Sequence, residues 1–299
     1  MFHQPKIGLA LGGGGARGFA HLGVLQILER EKVPFHLITG SSAGALVGSL
    51  YAFHPDAALV EKKIRHYIAS PEFKKLGVSH LMNKKESDNT VFSQVVTYLK
   101  ERIIINLAHS RTSLLNNKRL FSSYATLLDC QDIKRSVIEL GVVAADLISG
   151  RDILFTSGDL IRAVTASSSL PGFLPPMKYM NYLLLDGCVT QPVPVSAAHS
   201  MGAQVVIAVD VSQDVPPQNE FDNILEIMAR TNLMTSQTLN MLQLEKADVV
   251  IKPAVGMHHW SEFDKLDYFI QQGQKAALAA ISNIKKVTRR RFIKISQRW

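Results

Sequence analysis

Two glycine-framed turns near the start of the chain restrict its fold more than any other feature. Residues 7–18 read Ile-Gly-Leu-Ala-Leu-Gly-Gly-Gly-Gly-Ala-Arg-Gly, and residues 40–44 read Gly40-Ser41-Ser42-Ala43-Gly44. A short apolar run precedes each turn, Ile7 to Leu11 and His36 to Thr39. Apolar residues near helical spacing follow each turn, over Ala16 to Glu31 and Ala43 to Phe53, with Pro34 as the break between the two units. Strand, turn and helix, repeated, predict a parallel sheet with helices on its faces. The expected class is α/β.

Further along, Ala57 to Ile68 reads as an amphipathic helix. Residues 70–90 are polar and charged and read as a surface excursion. Residues 91–107 and 118–128 read as helices. Val137 to Ala145 and Asp152 to Thr156 read as a hairpin turned near Ser149-Gly150. A short helix over Leu160 to Ser168 leads into an extended, proline-rich loop over 169–176. Tyr182 to Leu185, Val205 to Val209 and Val249 to Ile251 are expected strands, and Ile224 to Leu244 and Glu262 to Ile284 long helices. With no repeat and no low-complexity linker, residues 1–284 are expected to form one domain, with 285–299 as a basic tail.

Gly13-Gly14-Gly15-Ala16-Arg17-Gly18 satisfies a dinucleotide-binding spacing. That reading needs an acidic residue at the end of the second strand, where Thr39-Gly40-Ser41-Ser42 stand instead. A triphosphate loop needs a lysine after Gly18, and the residue there is Phe19. Four adjacent glycines are costly in backbone entropy and fit a place where side chains would block an approach to the backbone. The remaining reading is an oxyanion hole, with the N–H groups of Gly13, Gly14 and Gly15 at a helix N-terminus. Arg17, in the first helical turn, either adds charge there or braces the loop.

Gly40-Ser41-Ser42-Ala43-Gly44 fits a nucleophile elbow, with Ser42 exposed on a sharp strand-to-helix turn and Gly40 and Gly44 allowing close passage. A serine hydroxyl needs a base. Asp186, at a strand end with Gly187 to permit a turn, is the best-placed carboxylate. It serves either alone, in a dyad, or in a triad with His199, His258 or His259. The ten histidines do not single out a partner. His21 and His36 fall on core elements and read as structural.

Composition narrows the setting. Two cysteines, Cys130 and Cys188, make no disulfide framework and fit a reducing compartment. Met1 to Lys6 is polar, and the apolar stretch Ala43 to Phe53 is too short to span a bilayer, so a cytoplasmic protein is expected. The formal charge is +8, and seven basic residues with no acidic one lie between Ile281 and Trp299, which leaves about +1 for the rest. Phe292, Ile293, Ile295 and Trp299 interleave with those charges. The tail is therefore either a solvated terminus or a peripheral contact with an anionic membrane. No nucleic-acid motif accompanies the charge, and no nucleic-acid partner is expected.

Four ordered motifs carry a family resemblance: Gly13 to Gly18, Gly40 to Gly44, Ala166-Ser167-Ser168-Ser169-Leu170-Pro171 with Pro175-Pro176, and Asp186-Gly187. Over about residues 6–210 the chain resembles the patatin-like phospholipases, in the short bacterial branch similar to the catalytic domain of neuropathy target esterase. The resemblance implies a three-layer fold with a mostly parallel central sheet flanked by helices. It implies a Ser–Asp dyad of Ser42 and Asp186, an oxyanion hole from the 13–18 loop, no histidine in the chemistry, and no metal or cofactor. The implied substrates are acyl esters of lipids, phospholipid or lysophospholipid. One departure stands out: Cys188 follows Asp186-Gly187 where the family has glycine or alanine. A thiol at that point predicts sensitivity to oxidation or alkylation.

Overall fold

The computed structural model describes residues 5–76, 117–128, 131–215, 217–221 and 224–296. The helix expected over 91–107, Cys130 and the 77–90 part of the expected surface excursion lie outside the described residues.

Among the described residues, eight strands form one sheet: β1 (Ile7–Leu11), β2 (Leu37–Ser41), β3 (Glu139–Asp146), β4 (Arg151–Phe155), β5 (Met177–Tyr179), β6 (Tyr182–Asp186), β7 (Val205–Val209) and β8 (Val249–Ile251). Five of them run parallel in the order β3-β2-β1-β7-β8. At the far edge the pairing turns antiparallel, with β4 and β6 against β3, and β5 against β6. The described helices are α1 (Ala20–Arg30), α2 (Ala43–Phe53), α3 (Ala57–Ala69), α4 (Pro71–Lys74), α5 (Asn117–Ala125), α6 (Leu160–Ser167), α7 (Val195–Ser200), α8 (Ile224–Leu244) and α9 (Leu266–Ser296).

The two-residue period of the strands divides the core into two layers. Ile7, Leu9 and Leu11 of β1, with Val205, Ile207 and Val209 of β7, pack into the larger core beneath α1, α2, α3 and α9. Ala10, Val206 and Ala208 face the other way and meet Val195 and Ala198 of α7 in a thinner layer. Gly23 of α1 and Gly273 of α9 bring those helices into backbone contact: a Cβ at either would lie 1.9 Å from the opposing carbonyl oxygen. The two helices run side by side in the same direction, from Ala20 beside Gly273 to Glu31, whose carboxylate pairs with Lys285 at 3.0 Å.

Three differences from the sequence expectations bear on the site or the tail. β2 continues to Ser41, because parallel pairing to β3 carries the strand up to the serine turn. Met177–Tyr179, just beyond the expected loop, pairs with β6 as a short strand, which its three residues gave no periodicity to reveal. The last helix runs through Ser296 instead of stopping at Ile284. Residues 285–296 hold neither glycine nor proline, and a run of like charge alone does not stop a helix.

Candidate active site

The site is assembled on one edge of β3. β2 runs along that edge and ends with Ser41 opposite Val143. β6 comes from the other direction along the same edge and ends with Asp186 opposite Ala144. β4 occupies the opposite edge, so β2 and β6 meet head-on. The residues at their ends are thereby brought together.

Ser42 follows directly and has φ 53° and ψ −120°, a left-handed conformation that a non-glycine residue adopts only under constraint. Its N–H donates to Ser167 Oγ at 2.9 Å, and its carbonyl accepts from the Leu46 N–H at 3.1 Å. The Ser42 hydroxyl, thus held out from the turn, donates to Asp186 Oδ2 at 2.7 Å. Asp186 is only 2% exposed. Its Oδ1 accepts from the Cys188 N–H at 2.9 Å, and its own N–H donates to the Ser169 carbonyl at 3.0 Å. Burial raises its pKa from 3.8 to about 6, with the hydrogen bonds from Ser42 and Cys188 acting the other way.

The glycine loop lies beside this pair. The Gly13 N–H donates to the Pro192 carbonyl at 3.0 Å. The Ala16 N–H donates to the Trp260 carbonyl at 2.6 Å, which ties the loop to a distant segment. The N–H groups of Gly14 and Gly15 have no hydrogen-bond partner among the described residues. Arg17 is buried, with Nε donating to the Gly14 carbonyl at 3.2 Å and Nη1 to Gln213 Oε1 at 3.0 Å. Of the two roles open to it, these bonds describe bracing. Burial lowers its pKa to about 10, against the pull of Asp210, so it remains a cation. His21 donates from Nε2 to the Gly12 carbonyl at 2.7 Å, and burial holds its pKa down at about 4.

The other glycines named from the sequence pack against the same turns: Gly18 against Ala43, Gly40 against Ala45, Gly44 against the Leu11 carbonyl and Gly187 against the Val143 carbonyl. The histidines offered as triad members sit elsewhere. His199 is held between the carbonyls of Ala203 and Lys246, His258 pairs with Glu262, and His259 with Ser261. Among the described residues none hydrogen-bonds Ser42 or Asp186.

Cys188 touches the loop, since a Cβ on Gly13 would fall 2.1 Å from its Sγ. Burial first, then the neighbouring Asp186, pushes the thiol well above its ordinary pKa. Only the thiolate is alkylated readily, so this direction works against the expected sensitivity, although the side chain is part-exposed at the cavity. Peptide mapping after iodoacetamide treatment near neutral pH should find Cys188 unmodified in the folded protein and modified after unfolding. Equal modification in both states would contradict this.

A cavity of about 850 Å³ opens above the pair. Its floor includes Gly13, Gly14, Gly15, Ser42 and Asp186. Leu46, Ile64, Phe73, Leu120, Leu174 and Phe263 make apolar walls, and part of α8 forms the rim. Sequence reasoning gave no role to Ser167, Trp260 or Gln213. Ser167 stood inside a quoted motif, but Trp260 and Gln213 act on the loop from more than 190 residues away and carried no local signal.

Comparisons with known proteins bear on the family. Residues 9–199 match the sequence model of a family described as patatin-like phospholipase. The chain is 32% identical to human patatin-like phospholipase domain-containing protein 6, over 70% of this chain and 14% of that protein. It is 27% identical to lysophospholipase NTE1 of Pyricularia oryzae, over 94% of this chain and 19% of that protein. The chain thus spans less than a fifth of the length of these relatives. Among solved structures it is similar to VipD from Legionella pneumophila, with 12% identity, a TM-score of 0.48, and coverage of 95% of this chain and 67% of that one. With the family model spanning most of the sheet and both halves of the Ser42–Asp186 pair, the chain belongs to the patatin-like phospholipase family.

Proposed function

We propose that this chain is a serine hydrolase of lipid acyl esters, with Ser42 as nucleophile and Asp186 as its base. Ser42 Oγ attacks the ester carbonyl carbon, and its proton passes to Asp186 Oδ2. The oxygen that becomes negative is received by the N–H groups of Gly14 and Gly15, the donors of the loop that the fold leaves unengaged. Gly13 contributes through its contact with Ser42 and through its bond to Pro192, which sets the loop. Arg17 holds the loop through Gly14. Asp186 returns the proton to the leaving alcohol. Water, losing a proton to the same carboxylate, then attacks the acyl carbon; as the bond to Ser42 Oγ breaks, that proton passes to Oγ and the acyl group leaves as the acid.

The observation that carries this reading is the 2.7 Å hydrogen bond from Ser42 to a buried carboxylate on the floor of an apolar cavity. A hydrocarbon chain fits such walls, and the printed names of the relatives include a lysophospholipase. Lysophospholipids and phospholipids are therefore the proposed substrates. The proposed catalytic unit is a single domain, because the two halves of the pair, 144 residues apart in sequence, share β3.

The test is labelling with a fluorophosphonate and turnover of a soluble short-chain ester. Wild type should be labelled at Ser42 and turn the ester over; Ser42→Ala should do neither, with a loss of at least about 10³-fold. Undiminished turnover by Ser42→Ala would overturn the assignment.

A further inference from the structure

α8 has two unlike faces. Leu233, Ser236, Leu239 and Asn240 line the cavity. Turned away from it, Ile224, Ile227, Met234, Met241 and Leu242 are exposed, each by half or more of its surface. Met228 belongs to both, being a rim residue that is 60% exposed. The helix has 21 residues, of which only Glu226 and Arg230 are charged, and Thr231 to Leu244 contains no charge at all. A helix facing water normally carries a charged outer face. Here the outer face is methionine, isoleucine, leucine and threonine, and through Met228 it adjoins the cavity lining.

We propose that the outer face of α8 is the surface by which the protein docks on a phospholipid bilayer, seated in the uncharged zone of glycerol and acyl chains. This rests on the reading of the cavity as the acyl site. Three observations favour a lipid surface as the occupant. First, an acyl chain must leave the bilayer and enter the cavity without crossing water, so the docking face must adjoin the cavity, and α8 does, since eight of its residues line it. Second, the absence of charge over fourteen consecutive residues suits the apolar zone of a bilayer. Third, the basic end of α9 lies away from the cavity. α9 passes Ala20, beside the glycine loop, at Gly273. From there it runs alongside α1 to Lys285, which pairs with Glu31 at the opposite end of the strands. That is about 18 Å along the helix axis at 1.5 Å per residue. The basic residues that follow extend further from the cavity still. Adsorption through that end holds the cavity away from the surface.

The experiment compares two double variants with wild type, M234E/M241E and K286E/R289E, in co-sedimentation with phosphatidylcholine vesicles and with vesicles containing phosphatidylserine. None of these four residues lines the cavity. Soluble short-chain ester turnover and circular dichroism report on the site and the fold. M234E/M241E is expected to lose about tenfold or more in affinity for both vesicle types while keeping wild-type turnover of the soluble ester. K286E/R289E is expected to keep its affinity for phosphatidylcholine. Wild-type vesicle binding by M234E/M241E would overturn the proposal. So would binding that only K286E/R289E loses, or a wild-type dimer that binds no vesicle and that M234E/M241E splits, since a second copy would then cover the face. Soluble-ester turnover that survives Ser42→Ala would defeat the catalytic reading instead, whatever the vesicles show.

Discussion

Asp186→Asn should all but stop ester turnover while making the fold more stable at neutral pH. The amide keeps the shape of the carboxylate but cannot take the Ser42 proton, and a positioned base is worth between about 10² and 10⁴-fold. Stability moves the other way because burial holds the carboxyl at about 6 instead of 3.8. The ionised form then costs the folded state on the order of 3 kcal/mol. Between these two values the folded chain retains a proton that the unfolded chain has released. This group's contribution to stability therefore falls as pH rises from about 4 through about 6, and is level above that. Urea unfolding should find wild type and Asp186→Asn alike near pH 4, and the variant more stable by about 2 kcal/mol near pH 7.5. Turnover by wild type should rise with pH through about 6, as the base ionises. A variant no more stable than wild type at the higher pH would contradict the burial argument, and an active one the chemistry.

Gly44→Ala is the second large effect expected, and it acts through space alone. The new Cβ would stand 2.1 Å from the Leu11 carbonyl oxygen and 2.6 Å from its carbon, both backbone atoms of a central strand that cannot give way. Either α2 shifts or β1 does, and each carries part of the Ser42 site. The expected loss is about 3 kcal/mol or more, read from chemical denaturation, with loss of fluorophosphonate labelling. Gly150→Ala makes the comparison. Gly150 has φ 69° and nothing within 4 Å of the added Cβ, so only backbone strain is introduced, at a cost of about 1 kcal/mol. Similar losses at the two positions would show that contact with Leu11 is not the cause.

The parts of this protein that could be read in one dimension are those whose causes are local. Ile7 to Leu11 and Val205 to Val209 are short enough, apolar enough and bounded sharply enough to be strands in any context of this kind, and both are. Four consecutive glycines and a serine between Gly40 and Gly44 state a backbone requirement that few folds impose, so both turns were legible with their neighbouring helices. The end of α9 was not, because a cluster of like charges was read as a boundary although no residue there breaks a helix.

Choosing among partners for Ser42 was a different problem. Asp186 stood out among the acids by its strand end and Gly187, and the family resemblance pointed to it, but the residues themselves left open whether it acts alone or with one of the ten histidines. Strand pairing shows how the two come together: β6 runs against β3 while β2 runs with it, and Val143 and Ala144 set Ser41 and Asp186 end to end. The same pairing buries Asp186 and so raises its pKa, whereas His199 is tied off between two carbonyls. The unlike faces of α8 have the same origin, since Thr231 to Leu244 is uncharged on every side and only the packed chain shows which side is covered. Propensity and turn geometry depend on a few adjacent residues and are written into them; burial and convergence depend on which distant segments pair, and that is settled when the sheet closes.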